Sequence, residues 1–394
     1  MRVLFTSQPA LGHFHPLAPI AQVLESAGHQ VAFATPAPFV PTVERSGFAA
    51  FPAGMAKPTA EAFPELRALH GPEETAYVLG HVRPAQAAAM TSDLLVLIPA
   101  WRPDLLVRER GEYGGCIAAE RLGIPYAAVK VIAAGYDREA LALLSDGLAS
   151  VLAAHGLPPD PDLRIVERQA VISPFPPSYR SVPDRVTATP WLSIRPTPFD
   201  QSGDERQPAW VDALPDQPTV YLTLGTSPLF NTRRAIFRAF IEGLAEQSLN
   251  LIVAVGRNNE PGDFGPAPAN ARIERYIPQT LVFPRCDLVI CHAGSGTVMA
   301  ALAHGLPLVL VPIGADQPQN ARRCGDLGFA HVADMDSLSP SVARAAVLDA
   351  LGDPSYRRNA ERLRAEIEGL PGPEQAVTFL ERLVAGQPFM SSAG

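Results

Sequence analysis

The sequence predicts an α/β protein whose parallel sheets are divided between two domains, and three observations support that prediction. The chain has 394 residues, more than one ordinary hydrophobic core contains. It opens with a strand–helix–strand pattern, in which apolar runs at 2–6 and 30–35 flank a helical pattern at 15–28. A second series of alternating strand and helix patterns follows the stretch 187–218, which is rich in proline, glycine and charged residues and is typical of a connection between domains.

The first domain continues the strand–helix alternation of its opening. A strand, a helix and a strand within so short a stretch form a βαβ unit, which implies a parallel sheet. Apolar runs at 104–109 and 125–131 predict two more strands, and 116–123 predicts the helix between them. We assign residues 1–200 to this first α/β domain.

The second domain repeats this architecture without close sequence identity. We assign it residues 201–373, and we expect the helix and tail at 374–394 to pack back on the first domain. Its predicted strands are 219–226, 250–256, 287–291 and 308–312, and its predicted helices include 233–247, 298–305 and 355–370.

Composition and charge exclude several classes of protein. The hydrophobic fraction is 47% and the net charge is −8, so the chain has no basic field for nucleic acid. No apolar stretch is long enough for a membrane span, and the N-terminus lacks a signal-peptide core. The four cysteines are scattered without C-x-x-C, which favours buried free thiols over disulfides or a zinc site. Together these features predict a soluble cytosolic protein.

A small-residue stretch, HAGSGT at 292–297, separates a predicted strand from a predicted helix. Small residues let backbone N–H groups approach a ligand closely, and a helix N-terminus carries partial positive charge, so this turn suits a phosphate. Many strand-to-helix turns need glycine only for tight packing, so the turn alone leaves both interpretations open.

Polar residues follow the next predicted strand. After 308–312, the stretch GADQPQNA supplies Asp316, Gln317 and Asn320. Open α/β sheets bind ligands beyond the carboxyl ends of their strands, so we expect these groups and HAGSGT to share one crevice. A diphosphate site beside hydroxyl-binding side chains predicts a nucleotide attached to a polyol.

Three stretches resemble a known family. HAGSGT followed by HGLPLVLVPIGADQPQNA resembles the donor-binding signature of glycosyltransferase family 1, and RYIPQTLVFPRCD resembles the segment before it. LGHFHPLAPIAQVLESAGHQV resembles the N-terminal GHxxP element of that family. The resemblance implies a GT-B fold, in which two Rossmann-like domains face each other across a cleft. It is nearest to actinobacterial enzymes that attach deoxysugars to polyketide or other natural-product aglycones.

The resemblance also assigns donor-binding residues. It implies contacts to the sugar hydroxyls from Asp316 and Gln317, and contacts to the base from Ile277, through its backbone, and from Gln279. Two assignments have structural alternatives, because Thr226 also fits a turn and Gln279 also fits a helix cap. The diphosphate is assigned to His292, Gly294, Ser295, Gly296, Thr297 and Thr226.

One departure from the family pattern concerns the nucleotide. Members with ribonucleotide donors commonly carry Glu shortly after the small-residue loop, where it binds ribose hydroxyls, and this chain has Ala300. A buried carboxylate with fewer hydroxyl partners is costly, so its loss favours a 2′-deoxyribose. We therefore expect a dTDP-sugar as co-substrate and no other cofactor. A UDP-sugar is the alternative, if the ribose is held in another way.

For catalysis, the resemblance points to His13 in GHFHP as the base and to Glu109, where many relatives have Asp, as its partner. An imidazole, whose ordinary pKa is about 6.5, can take a hydroxyl proton near pH 7, and a carboxylate fixes its tautomer. We place His13 in the loop after the first strand. His15 is the competing histidine, and Glu112 is a substitute carboxylate whose default position is a solvated loop.

These parts imply an inverting transfer that requires no metal. The acceptor oxygen attacks the anomeric carbon opposite the departing diphosphate while His13 removes the proton. His292 and the helix N-terminus stabilise the leaving group. The D-x-D stretch at Asp334 and Asp336 lies past the donor signature, where we expect a solvated turn and no metal site.

We expect the acceptor to be a hydrophobic small molecule bound by the first domain. Phe63, Tyr77 and Met90, in the stretch 55–90, are candidate pocket residues, although their spacing is also typical of a helix core. The sequence leaves open a homodimer and the need for an auxiliary protein.

Three other functions fit parts of the pattern. A nucleotide-sugar 2-epimerase shares the two-domain fold, but the intact GHFHP element disfavours it. A non-catalytic subunit would bind nucleotide sugar or aglycone without turnover, and the presence of His13, Asp316 and Gln317 disfavours that role. A nicotinamide oxidoreductase requires G-x-G-x-x-G after the first strand, and SQPALGHFHP lacks it.

Overall fold

The computed structural model describes residues 1–57, 59–69, 71–133, 138–180, 189–200 and 206–389. The chain forms two units, each with its own sheet and core. Unit 1 comprises Met1–Pro174, Ser181–Thr197 and Pro371–Gly394, and unit 2 comprises Phe175–Arg180 and Pro198–Leu370.

This division differs from the sequence-based one at its edges. Unit 2 begins at Pro198 and ends at Leu370, whereas the sequence placed the second domain at 201–373, and residue 201 lies outside the described ranges. The short segment Phe175–Arg180 also belongs to unit 2, although the segments on both sides belong to unit 1.

Unit 1 is built on a parallel sheet of seven strands. The strands are β1 (Arg2–Thr6), β2 (Gln30–Thr35), β3 (Ala49–Pro52), β4 (Leu105–Glu109), β5 (Tyr126–Val129), β6 (Val171–Ser173) and β7 (Trp191–Ser193). They lie in the order β3-β2-β1-β4-β5-β6-β7 and pair in parallel. The order reverses between β1 and β4, and ligands in such sheets bind at the carboxyl ends beside this reversal.

The helices of unit 1 follow the predicted alternation with one correction at the N-terminus. The pattern at 15–28 corresponds to one helix that begins at Ala18, and a separate short helix at Leu11–Phe14 precedes it. Pro16 lies between the two helices and has no N–H group with which to continue the first one. The described helices are α1 (Leu11–Phe14), α2 (Ala18–Ser26), α3 (Val40–Arg45), α4 (Thr59–Ala62), α5 (Gly71–Tyr77), α6 (Arg83–Trp101), α7 (Gly114–Leu122) and α8 (Arg138–Ala154).

Unit 2 repeats this plan with a parallel sheet of six strands. The strands are β8 (Thr219–Thr223), β9 (Asn250–Ala254), β10 (Ala271–Glu274), β11 (Leu288–Cys291), β12 (Leu308–Leu310) and β13 (Ala330–Val332). They lie in the order β10-β9-β8-β11-β12-β13, so the reversal in this sheet falls between β8 and β11.

Two helices of unit 2 differ from the sequence-based expectation, the first in its start and the second because no helix was predicted there. One begins at Ser295 instead of residue 298, and another begins at Gln317, inside the predicted polar loop. The helices are α9 (Ala209–Asp212), α10 (Pro228–Asn231), α11 (Arg234–Leu244), α12 (Gln279–Val282), α13 (Ser295–Ala303), α14 (Gln317–Asp326), α15 (Pro340–Gly352) and α16 (Pro354–Glu368).

The strands form where the sequence is continuously apolar. All residues of β4, β8 and β9 are buried, which is typical of parallel strands covered by helices on both faces. In unit 1 the Phe33 ring contacts those of Phe5 and Phe14, with ring centroids 4.9 Å and 5.2 Å away. The predicted α/β class is therefore confirmed.

The C-terminal helix α17 (Gln375–Val384) is part of unit 1. It packs against α2, and Glu381 Oε1 lies 3.3 Å from His29 Nε2. The backbone N–H of Arg195 donates to the carbonyl of Pro371 at 2.7 Å, which joins the start of this segment to the chain after β7. The tail beyond residue 389 lies outside the described ranges.

Two further observations concern the chain as a whole. All four cysteines are buried free thiols. Among the helices in the described ranges, none combines the length and the apolar character needed to cross a bilayer.

Candidate active site

His13 and Glu109 meet at the carboxyl edge of the sheet in unit 1. Glu109 is the last residue of β4, and His13 lies in α1, the short helix after β1. Because β1 and β4 are neighbours at the reversal in strand order, the two side chains come together. His13 Nδ1 lies 3.0 Å from Glu109 Oε1. The sequence-based placement of His13 in a loop is corrected to a helix of four residues.

The surroundings of Glu109 keep its carboxyl group ionised. The side chain is fully buried, and its Oε2 accepts a hydrogen bond from the backbone N–H of Gly111 at 2.6 Å. Burial raises the pKa of Glu109, but His13, Arg83 and Arg108 together lower it more, so the pKa lies below its ordinary value. A charged oxygen beside Nδ1 favours the tautomer with the proton on Nδ1, which leaves Nε2 able to accept a proton.

Arg108 fixes the loop that follows Glu109. The side chain is fully buried, and its guanidinium donates to the carbonyls of Glu112 at 2.5 Å, Arg110 at 2.6 Å and Val166 at 2.8 Å. A planar guanidinium has five N–H donors and can hold several carbonyls at once. Nothing in the strand pattern LLVRE singles out this residue, so its role became visible only in the fold.

Glu112 does not lie in a solvated loop, so that expectation is wrong. Its side chain is 1% exposed, and it accepts hydrogen bonds from Thr6 Oγ1 at 2.6 Å and from the backbone N–H of Gly115 at 3.0 Å. Burial raises the pKa of Glu112, and Arg108 and the Thr6 hydrogen bond offset this only in part. The loop folds inward onto β1, where Glu112 is engaged by Thr6 and Gly115, and the carboxylate observed in contact with His13 is that of Glu109.

The donor signature in unit 2 forms the turn between β11 and α13. β11 ends at Cys291, and α13 begins at Ser295 with Gly294 as its N-cap residue. The second half of HAGSGT is therefore not a loop but the first turn of the helix. The first N–H groups of a helix have no acceptor within it, and their dipoles attract an anion.

Gly294 and Gly296 are glycines for different reasons. A Cβ atom on Gly294 would lie 2.5 Å from Nε2 of His292, so packing within the protein requires glycine there. A Cβ atom on the exposed Gly296 would meet no atom within 4 Å. Tight packing thus explains Gly294 but not Gly296, and the space beside Gly296 is open to a ligand.

His292 is buried and its imidazole is neutral at pH 7. The residue is 8% exposed, and its ring lies against Gly225 and Gly294 with its centroid 5.6 Å from that of Phe230. Burial lowers the pKa of His292 to about 4. Its Nδ1 has no hydrogen-bond partner within the described part of the chain. The ring can therefore offer a hydrogen bond to a diphosphate but no positive charge.

Gln317 is the first residue of α14, and the oxygen of its side-chain amide is hydrogen-bonded within the protein. The side chain is buried, and its Oε1 accepts hydrogen bonds from the backbone N–H groups of Ile313 at 2.8 Å and Gly314 at 3.1 Å. This pairing holds the turn before the helix. The NH₂ group of Gln317 is consequently the part of the side chain that can contact a sugar oxygen.

Asn320 joins the two polar stretches of unit 2. Its Nδ2, which has two hydrogens to donate, lies within hydrogen-bond distance of the carbonyl of Ala293 at 3.0 Å, Ser295 Oγ at 3.0 Å and Asp316 Oδ2 at 2.8 Å. Ser295 Oγ also donates to Asp316 Oδ2 at 3.1 Å. Ala293 and Ala315 both have a left-handed backbone, with φ of 66° and 56°, a strained conformation for residues other than glycine. The hydrogen bond from Asn320 to the carbonyl of Ala293 helps to hold the first of them. HAGSGT and GADQPQNA therefore lie side by side.

Gln279 and Thr297 connect α12 to the first turn of α13. Gln279 Nε2 donates to Thr297 Oγ1 at 3.0 Å. Pro278 is the N-cap residue of α12 and no side chain caps this helix, so the alternative role of Gln279 as a cap is wrong. Ile277, just before Pro278, is 4% exposed.

Thr226 lies exposed in the turn after β8. Its neighbour Gly225 packs against the ring of His292, because β8 and β11 are adjacent strands. Asn231 supports this turn by donating from Nδ2 to the carbonyl of Gly225 at 3.2 Å. Asn231 is fully buried, and its Oδ1 has no partner within the described ranges. No sequence pattern pointed to Asn231.

The three candidate acceptor residues and the competing histidine complete the set of predicted residues. The Phe63 and Tyr77 rings contact each other with centroids 6.5 Å apart, and Met90 is 3% exposed in the core of unit 1. His15 is half-buried at the end of α1.

The D-x-D stretch forms an exposed turn. Asp334 Oδ1 accepts a hydrogen bond from the backbone N–H of Asp336 at 3.1 Å, and both side chains are exposed. This matches the turn expected from the sequence.

Known proteins are similar to this chain in sequence and in architecture. Residues 238–383 match the family described as erythromycin biosynthesis protein CIII-like, C-terminal domain. The chain is 31% identical over 405 residues to the L-demethylnoviosyl transferase of Streptomyces niveus, covering 100% of both. It is 28% identical to the 10-deoxymethynolide desosaminyltransferase of Streptomyces venezuelae, covering 98% of this chain and 97% of that one. The crystal structure of glycosyltransferase VinC in complex with dTDP matches with a TM-score of 0.78 and 27% identity, covering 98% of this chain and 100% of that one.

Proposed function

Because this chain belongs to the actinobacterial antibiotic deoxysugar glycosyltransferases, which are sugar-transferring enzymes of the GT-B fold, we propose that it moves a deoxysugar from a dTDP-sugar to a hydroxyl group of a hydrophobic natural-product aglycone. The transfer inverts the anomeric configuration and uses no metal ion. The observation that carries the proposal is the 3.0 Å contact between His13 Nδ1 and Glu109 Oε1 at the carboxyl edge of unit 1.

The acceptor hydroxyl is the nucleophile in this reaction. Its oxygen forms a bond to the anomeric carbon while the bond from that carbon to the diphosphate oxygen breaks on the opposite face. The hydroxyl proton passes to Nε2 of His13, which becomes an imidazolium. The buried Glu109 carboxylate stabilises that charge and holds the ring with Nδ1 protonated.

The leaving dTDP carries the negative charge that develops in the transition state. The N–H groups of the first turn of α13 and the ring of His292 are the donors that stabilise it. Since the His292 ring is neutral, its contribution is a hydrogen bond, and the positive potential comes from the helix N-terminus. The open space beside Gly296 supports this position for the diphosphate.

Ala300 supports thymidine as the nucleoside. It lies half-buried in the second turn of α13, and its methyl group offers no partner to a ribose 2′-hydroxyl. The related glycosyltransferase VinC was solved with dTDP, which supports the same nucleotide here. On this account Ile277 and Gln279 contact the base.

The deoxysugar lies against the start of α14. Asp316 accepts hydrogen bonds from sugar hydroxyls, and the NH₂ group of Gln317 donates one. Only a few such contacts are available because the Gln317 oxygen is already bound by backbone N–H groups. A sugar with few hydroxyls suits this arrangement.

Calorimetric titration with dTDP and with UDP, both in EDTA, tests this function. We expect dTDP to bind about tenfold more tightly than UDP, because a ribose hydroxyl would be buried beside Ala300 without a partner. The variant Ala300→Glu restores that partner and should narrow the difference.

The outcomes separate the parts of the proposal. A preference for UDP would contradict the assignment of dTDP while keeping the transferase. A failure to bind either nucleotide, or binding that EDTA abolishes, would contradict the donor site as described.

A further inference from the structure

Phe230 lies on the short helix α10, which follows the turn after β8 in unit 2. Ser227 caps this helix, because its Oγ accepts a hydrogen bond from the backbone N–H of Leu229 at 3.3 Å. At the other end, the fully buried Asn231 donates to the carbonyl of Gly225 at 3.2 Å. These contacts hold α10 in place, and Phe230 is half-buried between the exposed Leu229 and the buried Asn231.

The ring of Phe230 borders both polar stretches of the donor signature. Its centroid lies 5.6 Å from that of the His292 ring, with 34° between the two planes. Its edge reaches the turn before α14, since a Cβ atom on Gly314 would lie 3.8 Å from Cε1 of Phe230, an ordinary van der Waals distance. One apolar ring therefore lies beside HAGSGT on one side and GADQPQNA on the other.

This position places an apolar surface between residues assigned to two parts of the donor. His292 is assigned to the diphosphate, and Asp316 and Gln317 are assigned to sugar hydroxyls. The sugar joins these two parts, because its anomeric carbon is bonded to a diphosphate oxygen. A sugar bound as proposed above therefore lies alongside Phe230.

The backbone N–H groups of the turn beside Phe230 are already engaged. Those of Ile313 and Gly314 both donate to Gln317 Oε1, at 2.8 Å and 3.1 Å. The phenyl ring itself offers neither an N–H nor an O–H group. A sugar hydroxyl held against it would lose water without gaining a partner, which costs free energy, whereas a methyl or methylene group would bury apolar surface.

We propose that Phe230 is a specificity-determining residue of the donor site, and that its ring packs on a carbon atom of the sugar that carries no hydroxyl group. The proposal rests on the function proposed above and deepens it, because it names the side chain that selects a deoxysugar over the corresponding hydroxylated sugar. Phe230 has no part in the bond that forms or in the bond that breaks.

Binding of nucleotide sugars to the full chain tests this inference without turnover. The probes are dTDP-glucose, dTDP-2-deoxyglucose and dTDP-6-deoxyglucose, titrated calorimetrically beside dTDP itself. Each deoxy probe differs from dTDP-glucose by one hydroxyl group. We expect at least one of them to bind about fivefold more tightly than dTDP-glucose. The probe that gains affinity identifies the carbon atom that faces the ring.

Phe230→Leu and Phe230→Asn separate the effect of polarity from that of shape, because Leu and Asn side chains are similar in shape. The Leu variant should keep the preference for the deoxy probe. The Asn variant should abolish it, since an amide can pair with a sugar hydroxyl. Phe230→Gln repeats the polar change with a longer side chain, so the test stands if Phe230→Asn does not fold.

Leu229→Asn is the matched control. Leu229 is the neighbour of Phe230 on α10, and its side chain is 68% exposed. The control makes the same change from an apolar to a polar side chain one position away. It should keep both the preference for the deoxy probe and the dTDP affinity of the wild type.

Three results would overturn the inference and leave the proposed function intact, provided that dTDP binds. These are a wild type without a preference for either deoxy probe, a preference that survives in the folded polar variants of Phe230, and a preference that is lost in Leu229→Asn or Phe230→Leu. A wild type that fails to bind dTDP would instead contradict the proposed function, and the inference with it.

Discussion

At the scale of single residues, the two histidines of the site differ because their surroundings differ. His13 has Nδ1 3.0 Å from a buried carboxylate, and its side chain is 22% exposed. His292 is buried without a charged partner, and burial alone lowers its pKa to about 4. The first arrangement suits a base that becomes charged during the reaction, and the second suits a neutral hydrogen-bond donor.

Replacement of Glu109 by Gln tests the first arrangement. The amide keeps the shape of the side chain but cannot stabilise an imidazolium or select the tautomer by charge. We expect kcat to fall by about ten- to a hundredfold with an unchanged dTDP affinity. Steady-state kinetics measures kcat, and calorimetric titration measures the affinity for dTDP.

The chain contains a second contact between a histidine and a glutamate that serves as a control. His29 Nε2 lies 3.3 Å from Glu381 Oε1, where α17 packs on α2. Glu381→Gln should leave kcat within about twofold of the wild type, since half of that carboxylate is exposed to water. Equal losses in the two variants would contradict a specific role for Glu109.

The low pKa of His292 predicts a loss of stability in acid. Unfolded His has a pKa of about 6.5, so the unfolded chain takes up this proton before the folded chain does. The stabilising contribution is complete above about pH 6.5 and is lost as the pH falls toward the folded value of about 4. This group alone accounts for roughly 3 kcal/mol over that interval.

The variant His292→Gln removes the titration and keeps a polar side chain. Urea unfolding between about pH 7 and about pH 5 should therefore show a smaller loss of stability in this variant than in the wild type. If both proteins lose the same free energy of unfolding, the imidazole is not buried in neutral form.

At the scale of elements, apolar periodicity predicts that a helix is present better than it predicts the residue at which the helix begins. Apolar periodicity correctly predicted the body of α13 but not its first turn, because Ser, Gly and Thr are typical of loops. The helix begins at Ser295 since Asn320 and Asp316 fix that residue from α14. Because these partners are more than twenty residues away in the sequence, the residues next to Ser295 do not indicate that the helix begins there.

Gly294 and Gly296 provide a matched test of this turn. Gly296→Ala should leave the thermal midpoint unchanged, because its Cβ meets no protein atom, and should weaken dTDP binding by about tenfold or more. Gly294→Ala should instead destabilise unit 2 by about 1–3 kcal/mol through overlap with His292. Thermal unfolding and dTDP titration distinguish these results, and normal binding by Gly296→Ala would place the diphosphate elsewhere.

At the scale of the whole molecule, the sequence predicted two α/β units with parallel sheets, because continuous apolar runs alternate with helical patterns in both halves. Each sheet has one reversal in strand order. Of the predicted site residues, Glu109 ends a strand at such a reversal, and His13 and His292 follow one. Motif position therefore predicted where these candidate residues lie in the two sheets. Arg108 and Asn231 escaped prediction because burial, which sequence does not show, determines what they do.

The segment Phe175–Arg180 marks another limit of sequence analysis. It belongs to unit 2 because Arg323 donates to the carbonyls of Ser178 and Tyr179, and Glu366 accepts from the backbone N–H of Ser178 at 2.8 Å. These partners are more than a hundred residues away along the chain. A division of domains drawn from composition assigns such a segment to its neighbours in sequence.

The most direct test of the account is the turnover of His13→Ala, measured as dTDP released from a dTDP-deoxysugar in the presence of an accepted aglycone. We expect turnover to fall by about a hundredfold or more, since general base catalysis is lost, while dTDP affinity stays within about twofold. Turnover within about threefold of the wild type would contradict the central claim that His13, held by Glu109, takes the proton of the acceptor.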